Sequence, residues 1–211
     1  MGAIDKQIAS LVADADSVQP APSPLRLWLR WMAIALVYIA ISLLVLGVRA
    51  DIMERLHSAM FIAEMGVLIA IVSSTALSAS LLAYPDIYQR HRWALTPIFM
   101  FVIFVGVIVL AWQADNPPSP LPVHSYQCSL TIAVLSLLPA AWMFYSMRQL
   151  ASTHWHLAGI VVMLSAFSTG AIILRLSEQT NSIIHVIEWH YLPMIGVASV
   201  GVWLGKVLLK W

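Results

Sequence analysis

The residues of this chain able to do chemistry are few: one cysteine, seven histidines and ten carboxylates in 211 residues. Cys128 follows His124 by four positions, and His185, Glu188 and His190 stand together further on. Glu64 and Arg175 sit alone inside apolar runs. A thiolate with imidazoles is the donor set of zinc-like or softer ions, so Cys128 with His124, His185, Glu188 or His190 is a candidate ligand site for a metal ion. Cys128 is alternatively an oxidisable thiol, and a lone cysteine forms no internal disulfide. These histidine spacings fit no compact metal motif. They favour a plainer arrangement, in which Glu64 is the buried partner of Arg175 or His190 while His185 and His124 sit at the wet interface. No resident cofactor is expected, transient metal-ion sensing being the only one considered. No serine, cysteine or acid set has catalytic spacing and no glycine loop could cradle phosphate, so no enzyme is expected. A haem site would need paired histidines on facing spans, which the sequence does not offer.

The elements that must position these groups follow from composition. Hydrophobic residues make up 61% and charged residues 10% of the chain, against about 25% charged in an ordinary soluble domain. A backbone in lipid must satisfy its own hydrogen bonds, and a helix of roughly 20 apolar residues does so. Six stretches qualify, at 27–48, 59–83, 93–114, 129–147, 155–176 and 183–209. The expected fold is all-α: a six-helix transmembrane domain over 26–211 behind a short tail at 1–25. The loops are short, so sequential spans must run antiparallel. Lys6, Arg26, Arg30, Arg90, Arg92, Arg148, Lys206 and Lys210 then share one side, and Arg49, Arg55 and Arg175 the other. The positive-inside rule places both termini in the cytoplasm. Trp28, Trp31, Trp93, Trp112, Trp155 and Trp211 fall near span ends, where interfacial aromatics belong. "SSTALSAS" and "SAFSTGA" read as helix-packing faces. Glu64, Cys128, Arg175, Glu188 and His190 all come to the outer third of the bundle.

The tail has its own pattern. On a helical wheel, Ile4, Ile8, Leu11, Val12 and Ala15 form an apolar stripe about 100° wide, rimmed by Asp5, Asp14 and Asp16. An amphipathic helix is expected over 4–16, on a proline-rich stem at 17–25. Anionic lipid would select a basic rim. An acidic rim fits a basic groove on a protein partner, the competing reading being a leader that only starts translocation. Ile4, Asp5, Ile8, Leu11, Val12, Asp14 and Asp16 are the candidate partner-binding residues.

The tail "IDKQIASLVADADSVQP", Glu64 in "FIAEMGVLIA", the turn "YPDIYQRHRW", Cys128 opening the fourth span, "LLPAAWMFYSMRQLA" with Pro139, "EWH" at 188–190 and the closing "GVWLGKVLLKW" occur in that order. In this the chain resembles the NrsF family of six-span bacterial anti-sigma factors over nearly its whole length. The resemblance implies that the tail holds an extracytoplasmic-function sigma factor at the bacterial inner membrane. The sigma factor is kept from RNA polymerase until an envelope, metal or redox signal acts on the membrane domain, as in a stress response. It implies no direct contact with nucleic acid and no small-molecule substrate. The family pattern has two outer cysteines; "RLSEQTNS" has none, with Ser177 the nearest counterpart. A switch built on an internal dithiol is therefore doubtful here, and either the signal differs or other ligands take over. The alternative is a small transporter or channel using Glu64 and His190, against which stands the absence of an internal repeat.

Overall fold

The structure, a computed structural model, describes residues 2–13, 21–85, 91–114 and 126–210. Asp14, Asp16 and His124 lie outside the described residues. Among the described residues the chain is helical, with no strand. Six helical segments are long and apolar enough to cross a membrane: Pro24–Leu46, Ala59–Leu82, Arg92–Ala114, Tyr126–Arg148, Trp155–Ser177 and Ile183–Leu208.

In chain order, α1 is the tail helix Ala3–Ala13. α2 is Pro24–Leu46; the Ser23 hydroxyl caps it by accepting from the Arg26 amide, and Pro24 occupies the first turn, where its missing N–H is no loss. It stops at Gly47, whose φ of 84° ordinary residues avoid. The short α3 is Ile52–Arg55, and α4 is Ala59–Leu82, capped by Ser58. α5 is His91–Ala94, α6 Thr96–Ala114, α7 Tyr126–Arg148 and α8 Trp155–Ser177. The last segment is broken into α9 at Ile183–Val186, a wide π-type turn at Ile187–Tyr191, and α10 at Pro193–Leu208.

α8 is the most enclosed of the six and α4 the next; the others surround them. The serine-rich faces do pack: Ser74, Thr75, Ser78 and Ser80 of α4 and Ser165, Ser168 and Thr169 of α8 are buried, and the Ser165 hydroxyl donates to the Val72 carbonyl across the pair. α8 and α10 approach until glycine is required. A Cβ at Gly159 would meet the Gly201 carbonyl oxygen at 2.0 Å, and one at Gly205 the Trp155 carbonyl oxygen at 2.1 Å, so backbone meets backbone at a small-residue crossing. Trp31 departs from the interfacial expectation. It is buried in a core cluster with Ala76, Met143 and Val162, because α2 leans this side of itself on α4.

Three prolines interrupt the apolar spans, Pro139 inside α7, Pro97 in the first turn of α6 and Pro193 at the start of α10; each lacks the N–H that would bond the carbonyl four residues earlier, and each such carbonyl accepts from a hydroxyl. Leu135, four before Pro139, accepts from Tyr38 of α2 at 2.8 Å. Trp93, four before Pro97, accepts from Thr96 at 2.8 Å. Trp189, four before Pro193, accepts from Ser129 of α7 at 2.5 Å. In surroundings without water these side chains are what makes a helix break tolerable.

Candidate functional site

At one end of the bundle lie the Arg49–Ser58 connection, the start of α7 and the 178–182 connection between α8 and α9. The break at Pro193 shapes this end. With no N–H at 193, the turn widens: the Leu192 amide bonds the Ile187 carbonyl five residues back at 2.8 Å. In a regular helix, residues five apart lie about 140° from each other. The wide turn brings His185 and His190 to one side, with ring centroids 5.3 Å apart. Both rings are buried, at 0% and 1% exposure, which corrects the expectation of a wet-interface His185.

Cys128, Glu178, His185 and His190 converge there, each offering one donor atom within 4.8 Å of the others. The Cys128 thiol donates to Glu178 Oε1 at 3.4 Å and the Thr180 hydroxyl to the same oxygen at 2.6 Å. His185 Nε2 stands 3.7 Å from Glu178 Oε1, and His190 Nε2 stands 3.3 Å from Oε2. Neither contact has hydrogen-bond geometry, and all four ring nitrogens of the two histidines, with Glu178 Oε2, have no hydrogen-bond partner. Burial pushes the Glu178 carboxyl up, but His190, Thr180 and Cys128 outweigh it and hold it at about 2.

Beside this cluster is a buried ion pair. Arg175 Nε and Nη2 donate to Glu64 Oε1 and Oε2 at 2.8 and 3.1 Å, and Nη1 donates to the Thr180 carbonyl at 2.8 Å. The Tyr191 hydroxyl donates to Glu64 Oε1 as well. Of the two partners the sequence left open for Glu64, the structure selects Arg175. Both carboxylate oxygens are engaged, which is the arrangement of a structural pair.

A third set ties the first span to this end. The Arg49 amide donates to the Leu176 carbonyl at 3.0 Å. Its guanidinium donates to Asp51 Oδ1 and Oδ2 at 2.7 and 2.9 Å and to Asn181 Oδ1 at 2.6 Å. Those bonds from Arg49, with a further one from Arg55 at 3.1 Å, hold the Asp51 carboxyl well below the usual carboxylate range despite partial burial.

The candidates thus sort unevenly. Cys128, His185 and His190 come together; Glu64 and Arg175 pair next to them; Glu188 is exposed and outside the cluster. Glu178 was missed because it sits in a polar loop rather than in a span, although it is the group that contacts Cys128. Ser177, the positional counterpart of a second cysteine, turns its hydroxyl back to the Ile173 and Leu174 carbonyls.

The opposite end carries the tail. In α1, Ile4, Ile8, Leu11 and Val12 are 72%, 55%, 68% and 69% exposed, so the apolar seam is uncovered. Asp5 accepts from the Gly2 amide at 2.8 Å and so caps the first turn as well as rimming the seam. The Tyr84 hydroxyl, just past α4, donates to the Pro22 carbonyl and fixes the end of the stem.

The family described as negative regulator of sigma F matches residues 11–211. The anti-sigma-F factor NrsF of Caulobacter vibrioides is 27% identical over 215 residues, covering 98% of this chain and 99% of that protein. The probable anti-sigma-F factor NrsF of Azospira oryzae is 26% identical over 212 residues, covering 97% of each. No solved structure matches the chain.

Proposed function

This chain belongs to the NrsF family of negative regulators of sigma F, a regulatory and non-enzymatic family, and from that premise we propose that α1 is the segment that captures the sigma factor. The partner is an extracytoplasmic-function sigma factor, held at the bacterial inner membrane with both termini of the chain in the cytoplasm. The observation that carries this reading is the uncovered seam of Ile4, Ile8, Leu11 and Val12 beside Asp5. Fully burying an aliphatic side chain contributes about 1.5–3 kcal/mol, so four of them supply several kcal/mol before the ordering of the tail is subtracted. The carboxylate rim directs the seam to a basic groove rather than to anionic headgroups. Support for the orientation is the bias of eight Lys and Arg against three between the two sides.

Release begins at the far end of the bundle. A signal acts only through states it binds or stabilises differently. Any change that moves the 178–182 loop pulls on Asn181 and Leu176, hence on Arg49, which closes the outer end of α2. α2 carries the stem and tail at its other end. A coupling of about 1–3 kcal/mol shifts sigma occupancy from several-fold to a hundredfold.

The test is co-purification of the full chain, extracted in mild detergent, with the extracytoplasmic-function sigma factors of the same cell. Wild type retains the sigma factor, whereas deletion of residues 1–19, or Ile8→Asp with Leu11→Asp, releases it without changing the bundle's melting. Undiminished retention by both variants would sink the assignment of α1.

A further inference from the structure

We propose that Cys128, Glu178, His185 and His190 form a binding site for a zinc-class divalent cation. The two histidines carry the argument. An imidazole hidden from water normally donates from one nitrogen and accepts at the other, yet His185 and His190, nearly fully buried, use neither. Both are aimed at the same carboxylate, whose Oε2 is likewise unpartnered. A buried set of lone pairs facing one another is unfavourable until something electrophilic lies between them.

The donor chemistry selects the ion. Sulfur, two imidazole nitrogens and a carboxylate oxygen are ligands that zinc and its neighbours accept together, whereas magnesium and calcium take oxygen. Charge selects the valence. A Cys128 thiolate and the Glu178 carboxylate neutralise a divalent ion between two neutral rings, so the occupied site brings no net charge to the membrane edge. The thiol proton leaves to solvent on ligation, and no other bond is made or broken.

Geometry is close to what is needed. Tetrahedral bonds of about 2.0–2.3 Å place donor atoms roughly 3.3–3.7 Å apart. The contacts at 3.4, 3.7 and 3.3 Å already have that spacing, and the widest separation in the cluster, within 4.8 Å, needs to close by about 1 Å. Oε1 faces Cys128 and His185 and Oε2 faces His190, so either carboxylate oxygen of Glu178 can serve as the ligand atom, and the Thr180 hydroxyl on Oε1 orients the carboxylate. Ser129, next to Cys128, holds the Trp189 carbonyl next to His190, so the ligands from α7 and from the wide turn are fixed relative to each other before any ion arrives.

The site stands on these four residues whether or not the tail holds a sigma factor; only its use as the trigger of release rests on the reading above. The experiment titrates Co²⁺ into the full chain in detergent and follows absorbance, then competes it with Zn²⁺. One Co²⁺ per chain is expected, with a thiolate-to-cobalt charge-transfer band and tetrahedral ligand-field bands, all lost to Zn²⁺. Cys128→Ser abolishes the charge-transfer band, and His185→Gln, His190→Gln and Glu178→Gln each weaken binding more than tenfold. The chain lacking residues 1–19 binds as wild type does, which separates this result from the fate of the tail. Because the wild-type spectrum needs no variant to fold, absence of the charge-transfer band in folded wild-type chain overturns the proposal. Equal Co²⁺ affinity in a folded His185→Gln, His190→Gln double variant does so as well.

Discussion

Consider Glu64→Gln. The pair it breaks is nearly dry, with the two side chains 4% and 7% exposed, and the glutamate accepts all but one of the hydrogen bonds that Arg175 and Tyr191 make here. Substitution leaves the guanidinium charged among Phe61, Tyr191 and the wide turn with no counter-charge, only the neutral carbonyls of the introduced amide and of Thr180 to accept from it. Removing one member of a buried pair costs about 3–5 kcal/mol, whereas replacing both by well-packed apolar groups is often neutral or stabilising. Arg175→Leu alone should cost a similar amount, since a buried carboxylate is left with Tyr191. Glu64→Met, which leaves Arg175 equally unpaired, is the single variant that closes the cycle: the double variant Glu64→Met with Arg175→Leu should recover most of the loss, giving a coupling of at least about 2 kcal/mol. At about 2–4 °C per kcal/mol for a chain of this size, each single variant should melt roughly 6–20 °C below wild type in detergent and the double within a few degrees of it. Single variants within about 1 kcal/mol of wild type, or a double whose loss equals the sum, would refute the claim that the two groups are coupled and dry.

The hydroxyls that serve the proline breaks give a second cycle. Tyr38→Phe should destabilise by about 1–2 kcal/mol by orphaning the Leu135 carbonyl, and the penalty should shrink in a Pro139→Ala background, where residue 139 regains the donor, as thermal melts of the four proteins would show. Gly205→Val should fail to assemble or melt far lower, because its side chain would enter the Trp155 carbonyl; gel filtration and melting check this. Asp51 is held below the usual carboxylate range. Its contribution to the 49–58 connection is therefore complete above an ordinary aspartate pKa of about 3.9 and lost only as pH falls through its lower folded value. Asp51→Asn should remove that acid-dependent step from a pH series of melts.

Helix number and the amphipathic tail were legible because both are local. A run of apolar residues long enough for lipid is counted, not folded, and the seam of Ile4, Ile8, Leu11 and Val12 is a property of 3.6-residue periodicity. The cluster of Cys128, Glu178, His185 and His190 was legible only in part. Cys128, His185 and His190 stood out as types, but a spacing of five is wrong for one face of a regular helix. Pro193 changes that face by widening the turn, a consequence visible only once the backbone is traced. Glu178 gave no signal of its own, since a carboxylate in a polar loop is what loops ordinarily contain.

By itself, then, the sequence determined the six apolar spans, their alternation, the exposed character of the tail and the kinship to negative regulators of sigma F. The first three follow from composition and near-neighbour pattern, and the kinship from the order of motifs along nearly the whole chain. Only the tertiary structure decided that Glu64 pairs with Arg175, that Glu178 meets Cys128 across 50 positions, and that Arg49 ties the first span to the loop beside them. Each of these joins groups from different helices or the connections beside them, and what fixes such pairs is the need of a buried charge or carbonyl for a partner. That need can be read residue by residue, but the partner is named only by the packing of α2, α4, α7 and α8 that brings it within reach.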